Sequence, residues 1–347
     1  MRIGYSFWGF LGPGVTDTPD GGRSHRRPLV DGLLGRGHEI VFLQADRDRT
    51  EAGDDLGGAY VFDAGFPDVE VLFLEWRWAI EGRNTTPCGS PGHTCDLHRQ
   101  ADLLMHYAQR AVPVVIWDKD RQLSGDDPWR RTPGVTVCEA ALGPTAGAHR
   151  LLFPVDDALL DAAAPAALAA QPRPVGLGYV GNQYDRDEAF DAFFAPAART
   201  VPHVVGGKWP RTSAWPHVTF LGRVPFAEVH HIYGRSLATV LLLPERYAAA
   251  GQMTQRIFEA VLAGCLPLAP ADIRGVETFV PRSLIVRDGD DVARHVETLR
   301  ALAGSREHVE LLAACLERLD VFRLSRQVEA LDSIFAQVTT HPEGATS

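Results

Sequence analysis

The sequence predicts an α/β protein whose two domains are each built on a parallel sheet with helices on both faces. Residues 218–267 give the clearest indication, because three short apolar strands alternate there with predicted helices. A similar series of strands and helices opens the chain at residue 2. The length of 347 residues also suits two domains of about 150–200 residues better than one.

The N-terminal half begins with an apolar strand and a loop rich in Gly and Pro at 9–22. Leucines on one side then indicate a helix, which the sequence GRGH at 35–38 ends, and a second helix is predicted at 97–111. The predicted strands of this half are 2–5, 40–43, 69–74, 112–117, 135–138 and 150–153.

Residues 161–174, DAAAPAALAAQPRP, are the predicted linker, because the composition changes there to Ala, Pro and Gln. We therefore expect an N-terminal domain over 1–165 and a C-terminal domain over 175–347, whose last helices pack back on the first domain. The predicted strands of the second half are 175–180, 203–205, 218–221, 238–243, 266–269 and 284–286. Its predicted helices lie near 188–198, 226–233, 256–264 and 290–302, with helical stretches to about 338.

The composition excludes several classes of protein. Hydrophobic residues make up 45% of the chain, as in ordinary globular proteins, and no apolar run is long enough to favour a membrane span. The formal net charge of −10 disfavours a broad nucleic-acid-binding surface. The five cysteines are few and odd in number, and the N-terminus lacks a signal-peptide pattern, so we expect a cytoplasmic protein.

Gly21 and Gly22 directly precede the first helix, in the loop DTPDGGRSHRR. Glycines at that point let backbone N–H groups approach a phosphate, and the helix N-terminus adds a favourable partial charge. A plain turn is the alternative, since a Gly pair alone is a weak signal. Ser24 and His25 either face a ligand or form the exposed first turn of the helix.

Arg186 and Lys208 each follow a predicted strand of the second half, in GYVGNQYDRDEAF and VVGGK. Two cations at neighbouring strand ends suit a diphosphate, because Arg binds phosphate bidentately and Lys acts as a point charge. The alternative for each residue is a solvated loop charge.

Arg256 and Glu259 lie at the start of the helix RIFEAVLAG, which follows a strand end. Ligands of parallel sheets bind outside the carboxyl ends of the strands, so both residues are candidates for a nucleotide site. The carboxylate of Glu259 can accept from two sugar hydroxyls at once. A surface position on an amphipathic helix is the alternative.

Asp118 follows an apolar strand, in the sequence Trp117-Asp118-Lys119-Asp120. A carboxylate at such a strand end can act as a general base or orient a substrate hydroxyl. It can equally cap the next element or pair with Lys119, and the sequence does not decide between these interpretations.

Four residues of zinc-ligand type, Cys88, His93, Cys95 and His98, occur close together as CGSPGHTCDLH. Their spacing lacks the usual CxxC pair. We therefore expect a loop rich in Gly and Pro with incidental Cys and His, and no metal. A Cys88–Cys95 disulfide is also disfavoured in a cytoplasmic protein.

These segments together resemble GT-B glycosyltransferases of the group 1 type. The stretch DGGRSHRRPLVDGLLGRGHEIVFL resembles the opening motif of that family. GYVGN at 178–182, VVGGK at 204–208 and the strands of 218–244 resemble its C-terminal domain, and RIFEAVLAGCLPLA at 256–269 resembles its E-A-x-x-x-G-x-P box. The resemblance implies two Rossmann-like domains facing each other across a deep cleft, with the acceptor on the N-terminal side and a nucleotide sugar on the C-terminal side.

The resemblance also implies roles for individual residues. Gly22 would line the donor phosphate loop, Arg186 and Lys208 would hold the diphosphate, and Glu259 would bind the ribose hydroxyls. Many members have a further Glu where this chain has Gly251, so the donor sugar and the stereochemical outcome stay open. The RIFEA version looks more like the spore-coat-protein-like branch, in which Arg256 replaces part of that pattern.

The leading hypothesis is a glycosyltransferase that moves a sugar from a UDP- or GDP-sugar to a hydroxyl-bearing small molecule or natural product, with no other cofactor. Asp118, His25 and Arg186 are the candidate catalytic residues, Arg186 because it can stabilise the departing diphosphate. One alternative is the same fold acting on a hydroxylated base in DNA. The other is a catalytically silent sugar-nucleotide-binding protein, which the missing Glu at Gly251 motivates.

Overall fold

The strand β1 (Arg2–Ser6) lies inside the first of two parallel sheets. The computed structural model describes residues 1–12 and 23–340 of the chain. These residues form two compact units, of which the first contains 1–12, 29–152 and 325–340 and the second contains 23–28 and 153–324.

The first unit is a doubly wound parallel sheet. Its further strands are β2 (Glu39–Phe42), β3 (Val61–Phe62), β4 (Val71–Glu75), β5 (Val114–Asp118), β6 (Val135–Glu139) and β7 (His149–Arg150). Its helices are α1 (Arg23–Gly35), whose first turn belongs to the second unit, and α2 (Asp96–Ala108). The strands pair in parallel in the order β3-β2-β1-β4-β5-β6-β7. The central strands β4 and β5 are buried along their whole length, as expected for strands covered on both faces.

The second unit repeats this architecture. Its helices are α3 (Asp157–Ala162), α4 (Pro165–Ala169), α5 (Asp187–Ala189), α6 (Ala195–Ala197), α7 (Phe226–Arg235), α8 (Glu245–Ala250), α9 (Arg256–Leu262), α10 (Gly289–Leu302) and α11 (Arg306–Arg318). Its strands are β8 (Val175–Val180), β9 (His203–Gly206), β10 (Phe220–Gly222), β11 (Ser236–Val240), β12 (Leu266–Pro270) and β13 (Ile285–Val286). They pair in parallel in the order β10-β9-β8-β11-β12-β13. A π-helical turn, Phe190–Phe194, joins α5 to α6.

Polar side chains fix the starts of several helices in the second unit. Asp156 accepts the N–H of Ala158 at the start of α3, and Ser305 accepts the N–H of His308 at the start of α11. Asp288 accepts the N–H of Asp291 at the start of α10. Each cap satisfies a backbone donor that the first helical turn leaves without an intrahelical acceptor.

The boundary between the units differs from the predicted one. The chain passes from the first unit to the second after Leu152, and the predicted linker 161–174 lies inside the second unit, where it carries α4. The prediction of a linker was wrong here, because Ala, which dominates this stretch, is also the strongest helix former. The final helix, α12 (Leu324–Thr340), packs in the first unit, where the ring of Phe335 meets that of Phe73 at 5.8 Å. None of the helices in the described part of the chain is long and apolar enough to cross a membrane.

Candidate functional site

The carboxyl ends of β8 and β9 approach each other through two glycines. Gly207 has a φ of +128°, and a Cβ at this position would overlap the carbonyl oxygen of Gly181. The side chain of Asn182 accepts the backbone N–H of Lys208 at 2.7 Å, and Trp209 Nε1 donates to the Gly181 carbonyl at 2.7 Å. These contacts fix the two strand ends to one another.

Lys208 supplies a positive charge at the end of β9. Its side chain is exposed, and its ammonium group forms no ion pair with any residue in 1–12 or 23–340. The structure therefore leaves this cation available to an anionic ligand.

Arg186 is buried and braces the end of β8. Its Nη1 donates to the carbonyl oxygens of Asn182 at 3.2 Å and Tyr184 at 2.7 Å, and its Nε donates to that of Leu242 at 3.3 Å. The sequence predicted this guanidinium on a diphosphate. In the structure, its Nη1 serves the backbone of the loop after β8 and its Nε serves the backbone after β11.

Arg256 begins α9 and contacts the end of β8. Its Nε donates to the carbonyl of Val180 at 2.8 Å and its Nη1 to Thr254 Oγ1 at 3.2 Å, while its guanidinium lies 5.8 Å from the ring centre of Tyr179. Burial lowers the pKa of Arg256, but electrostatic interaction with Tyr179, neighbouring tyrosines and Glu259 outweighs this effect and raises it. A permanent positive charge is thereby held at the end of β8.

Glu259 lies one turn further along α9 and is half-buried. Its carboxylate accepts a hydrogen bond from the hydroxyl of Ser24 in the first turn of α1. Burial raises the pKa of Glu259, and the bond from Ser24 and the charge of Arg256 oppose this rise. A carboxylate with this orientation can exchange the Ser24 hydroxyl for hydroxyls of a ligand.

Glu259 and Ser24 line a cavity of about 630 Å³ in the second unit. The rest of its wall is mostly apolar and includes Leu159, Phe226 and Phe258. Cavities of this size, with an apolar wall and a few polar groups, typically hold small ligands. Sequence reasoning did not identify Phe226, although an aromatic residue at the start of the helix after β10 was an available signal.

His25 is buried, with its ring centre 4.5 Å from that of Phe153. It therefore does not lie in an exposed first turn, which was one of the two interpretations of the sequence. Gly21 and Gly22, which the sequence places at a phosphate, lie outside the described residues.

Asp118 ends β5 in the first unit and is almost fully buried. One carboxylate oxygen accepts the N–H of Gln122 and the other that of Leu123, each at 2.9 Å. Burial raises the pKa of Asp118 to about 6, although the two backbone hydrogen bonds lower it. The sequence left open whether Asp118 acts on a substrate, caps the next element or pairs with Lys119. In the structure, Asp118 caps the turn that follows β5.

Glu75 and Glu139 flank Asp118 at the ends of β4 and β6. Glu75 accepts the hydroxyl of Tyr5 at 2.6 Å, and Arg130 lies 2.7 Å from a Glu139 oxygen and 3.7 Å from an Asp118 oxygen. The sequence carried a signal for this group, because three neighbouring strands, VLFLE, VVIWD and VTVCE, all end in an acidic residue. These partners hold the carboxylates at the carboxyl ends of the three strands.

Comparison with known proteins supports a glycosyltransferase. Residues 186–323 match a family model described as glycosyl transferase-like, and this segment contains Arg186, Lys208, Arg256 and Glu259. No curated protein sequence matches the chain.

Solved structures share the fold over almost the whole chain. The DNA-modifying enzyme β-glucosyltransferase, an enzyme of T4 phage, is 12% identical, with coverage of 98% of this chain and 100% of that one and a TM-score of 0.61. AviGT4, a glycosyltransferase involved in avilamycin A biosynthesis, is 15% identical, with 98% of each chain covered and a TM-score of 0.60. Alr3699/HepE of Anabaena, in complex with UDP and glucose, is 11% identical over 97% of this chain and 100% of that one, with a TM-score of 0.55. The two Rossmann-like units thus have the GT-B fold, as the sequence predicted.

Proposed function

We propose that this protein transfers a sugar from a uridine diphosphate sugar to a hydroxyl group of a small-molecule acceptor. A guanosine diphosphate sugar is the alternative donor. The proposal rests on the cavity of the second unit, in which Glu259 and Ser24 form a polar end to an otherwise apolar pocket. The cavity-lining Glu259 belongs to the segment that matches the glycosyl transferase-like model.

We assign the nucleoside of the donor to this cavity. Glu259 accepts from the ribose hydroxyls, and Phe226 packs against the base. Lys208 and Arg256, at the ends of β9 and β8, bind the diphosphate, since cations at strand ends suit charged oxygens. Solved structures of the same fold that contain UDP or UDP-glucose support this assignment.

In the proposed reaction, the acceptor oxygen forms a bond to the anomeric carbon while the bond from that carbon to the diphosphate oxygen breaks. The bonding electron pair leaves with the diphosphate, through an oxocarbenium-like transition state. Lys208 and Arg256 stabilise the charge that develops on the leaving group. Arg186 contributes by holding the loop after β8 in place.

The acceptor must also lose a proton. We propose that His25, and not Asp118, accepts this proton as a general base. Both carboxylate oxygens of Asp118 already accept N–H groups of its own turn. His25→Gln is therefore expected to lose transfer activity and retain nucleotide affinity, whereas Asp118→Asn is expected to keep transfer activity.

The sequence RIFEA at 256–260 supports a place in the spore-coat-protein-like branch. A hydroxylated base in DNA is the second candidate acceptor, because the chain shares its fold with a DNA-modifying β-glucosyltransferase. The net charge of −10 argues against it. A gel shift at low and at moderate salt separates the two, since DNA affinity from phosphate contacts falls steeply with salt.

The test of the proposed function is a thermal-shift screen with nucleotides and nucleotide sugars, followed by a transfer assay that detects release of the nucleoside diphosphate. Uridine nucleotides are expected to raise the melting temperature, because a ligand that binds only the folded state stabilises it. Binding without any release of diphosphate would instead show a catalytically silent sugar-nucleotide-binding protein.

Glu259→Ala is expected to weaken nucleotide binding by about 1–3 kcal/mol, because the ribose hydroxyls lose a charged acceptor. Calorimetric titration of the variant with UDP measures this loss. The matched control is Glu297→Ala, which removes an exposed carboxylate from α10 and should leave UDP affinity unchanged. If the wild type, Glu259→Ala and Glu297→Ala bind UDP with equal affinity, Glu259 does not contact the nucleotide.

A further inference from the structure

The loop between β4 and α2, together with the first turn of α2, brings together the two cysteines and two histidines of CGSPGHTCDLH. One potential ligand atom from each of Cys88, His93, Cys95 and His98 lies within 4.8 Å of all the others. Cys88 Sγ and His98 Nδ1 lie 3.2 Å apart. Residues that looked incidental in the sequence therefore share one small volume.

The chemistry of this donor set suits zinc. Two thiolates and two imidazoles form a standard tetrahedral zinc environment, with Zn–S near 2.3 Å and Zn–N near 2.0–2.1 Å. Ligand atoms of such a tetrahedron lie about 3.3–3.8 Å apart. The four atoms are already close to this spacing, so small side-chain adjustments complete the site.

The backbone of the loop is shaped independently of any metal. Gly89 and Gly92 adopt φ values of +84° and +76°, which L-residues with side chains rarely reach. The N–H of His93 donates to the carbonyl of Ser90 at 3.0 Å. The N–H of Ser90 donates to the carbonyl of Pro87 at 3.1 Å. The turns that carry Cys88 and His93 are thus fixed by local hydrogen bonds.

Buried Asp96 holds the other end of the loop, directly after Cys95. Its carboxylate accepts from Thr94 Oγ1 at 2.8 Å, from Arg77 Nε at 3.0 Å and from Asn84 Nδ2 at 3.3 Å. These bonds set the position from which Cys95 and the first turn of α2, with His98, extend.

His93 shows the arrangement expected of a metal ligand. Its Nδ1 lies 3.0 Å from Thr86 Oγ1, and its Nε2 is buried without a hydrogen-bond partner among the residues described. Ligating histidines typically engage one ring nitrogen in a hydrogen bond, which fixes the ring while the other nitrogen binds the metal. A buried imidazole nitrogen without a partner is otherwise unfavourable.

We propose that Cys88, His93, Cys95 and His98 bind one Zn²⁺ ion in the first unit. Four protein ligands fill the tetrahedron and leave no position for a substrate, so the ion stabilises the loop and takes no part in the chemistry. This proposal replaces the expectation from the sequence that the loop binds no metal.

The test is the metal content of the full-length chain, purified without an affinity tag under reducing conditions and in buffer that contains zinc, followed by extensive dialysis. About one zinc per chain is expected. Cys88→Ser and Cys95→Ser should each lose most of it, while His149→Asn, which changes an exposed histidine outside the cluster, should retain it. Absence of zinc from the wild type, or retention of zinc in both cysteine variants, would overturn the proposal.

A second readout does not depend on zinc content. Co²⁺ added to the reduced apoprotein should give tetrahedral d–d bands and a thiolate charge-transfer band, and both should disappear in the cysteine variants. Thr86→Val should weaken Zn²⁺ affinity about 10–100-fold, because it removes the hydrogen bond that orients His93. A Co²⁺ spectrum without thiolate bands would contradict the assigned ligands. UDP binding in the Cys88→Ser/Cys95→Ser variant should match that of the wild type, since this donor site lies in the second unit.

Discussion

Arg186 shows that a cation at a strand end can serve the protein backbone as well as a ligand. Its guanidinium is buried and donates to three carbonyl groups, whereas the neighbouring Lys208 is exposed. Both residues fit a diphosphate by sequence position alone. The structure separates them, because Arg186 holds the loop and Lys208 presents an exposed charge.

Arg186→Ala is expected to lower the melting temperature as well as the turnover. Carbonyl groups left without donors cost about 1–3 kcal/mol, and turnover should fall more than affinity for uridine, because the loop positions the leaving group. Lys208→Ala is the matched control, with reduced UDP affinity at an unchanged melting temperature. Thermal unfolding and donor kinetics measure both effects. An Arg186→Ala variant with wild-type melting and turnover within about twofold would assign Arg186 to the surface loop only.

Asp118 makes stability depend on pH in a predictable direction. Its pKa is about 6 in the folded chain and about 3.9 when unfolded, so the folded state holds the proton more tightly. The contribution of this group to stability is therefore complete below pH 4. It is lost as the pH rises to about 6, by roughly 3 kcal/mol in total.

Asp118→Asn removes this titration and provides the reference for the measurement. The melting temperature of the wild type, minus that of the variant, is expected to fall between pH 4 and pH 6.5 and to stay constant above it. A difference that does not change over this range would show that Asp118 has an ordinary pKa.

At the level of elements, one arginine joins the ends of three helices in the second unit. Arg173 donates to the carbonyls of Leu168 in α4, of Tyr233 and Gly234 near the end of α7, and of Ala263 after α9. Carbonyl groups in the last turn of a helix lack intrahelical donors and carry partial negative charge. A single guanidinium thus satisfies groups from elements that are far apart in sequence.

Arg173→Met is expected to destabilise the second unit by about 2–4 kcal/mol, because several helix-end carbonyls lose a charged donor. Calorimetry can identify the transition of this unit by its shift with UDP. The control is Arg235→Met, which removes an exposed cation from the last turn of α7 and should change stability by no more than about 0.5 kcal/mol. If the two substitutions lower stability by similar amounts, the loss of a positive charge explains the effect and the hydrogen bonds of Arg173 to the carbonyl groups do not.

Most of the longer elements could be predicted from the sequence. The predicted strand 175–180 and the helix 290–302 agree with β8 and α10 to within one residue, because an apolar run and a helix cap are local signals. The short elements β3, α3, α4 and α8 were missed. Two to six residues give too little periodicity to identify an element, and contacts made by the folded chain stabilise it.

For the whole molecule, the two units are discontinuous in sequence. α12 completes the first unit although it follows the second, with buried Val328, Leu331, Ile334 and Phe335. The side chain of Gln327 accepts the N–H of Leu152 at 2.9 Å, and Asp332 lies 2.8 Å from His38. Removal of the C-terminal helix is therefore expected to destabilise the first unit and to leave the donor site in the second unit unchanged.

A chain that ends at Leu324 is expected to lose the folded first unit and to keep UDP binding. Each of the lost apolar side chains contributes about 1.5–3 kcal/mol, and their sum is comparable to the whole stability of a domain. Phe335→Ala provides a milder version, with an expected cost of about 3–5 kcal/mol. Calorimetry of the truncated chain should show only the UDP-sensitive transition. Two unchanged transitions would show that α12 is dispensable.

The sequence by itself determined the α/β class, the repeated strand–helix series and the placing of Lys208 after a strand end. These features depend on periodicity and on neighbours within a few residues. Only the tertiary structure decided that Arg186 contacts the backbone, that Ser24 donates to Glu259, that two Cys and two His side chains converge at the start of α2, and that the chain leaves the first unit after Leu152 and returns to it with α12. Each of these depends on how turns and distant segments are brought together, and local residue patterns do not encode that geometry.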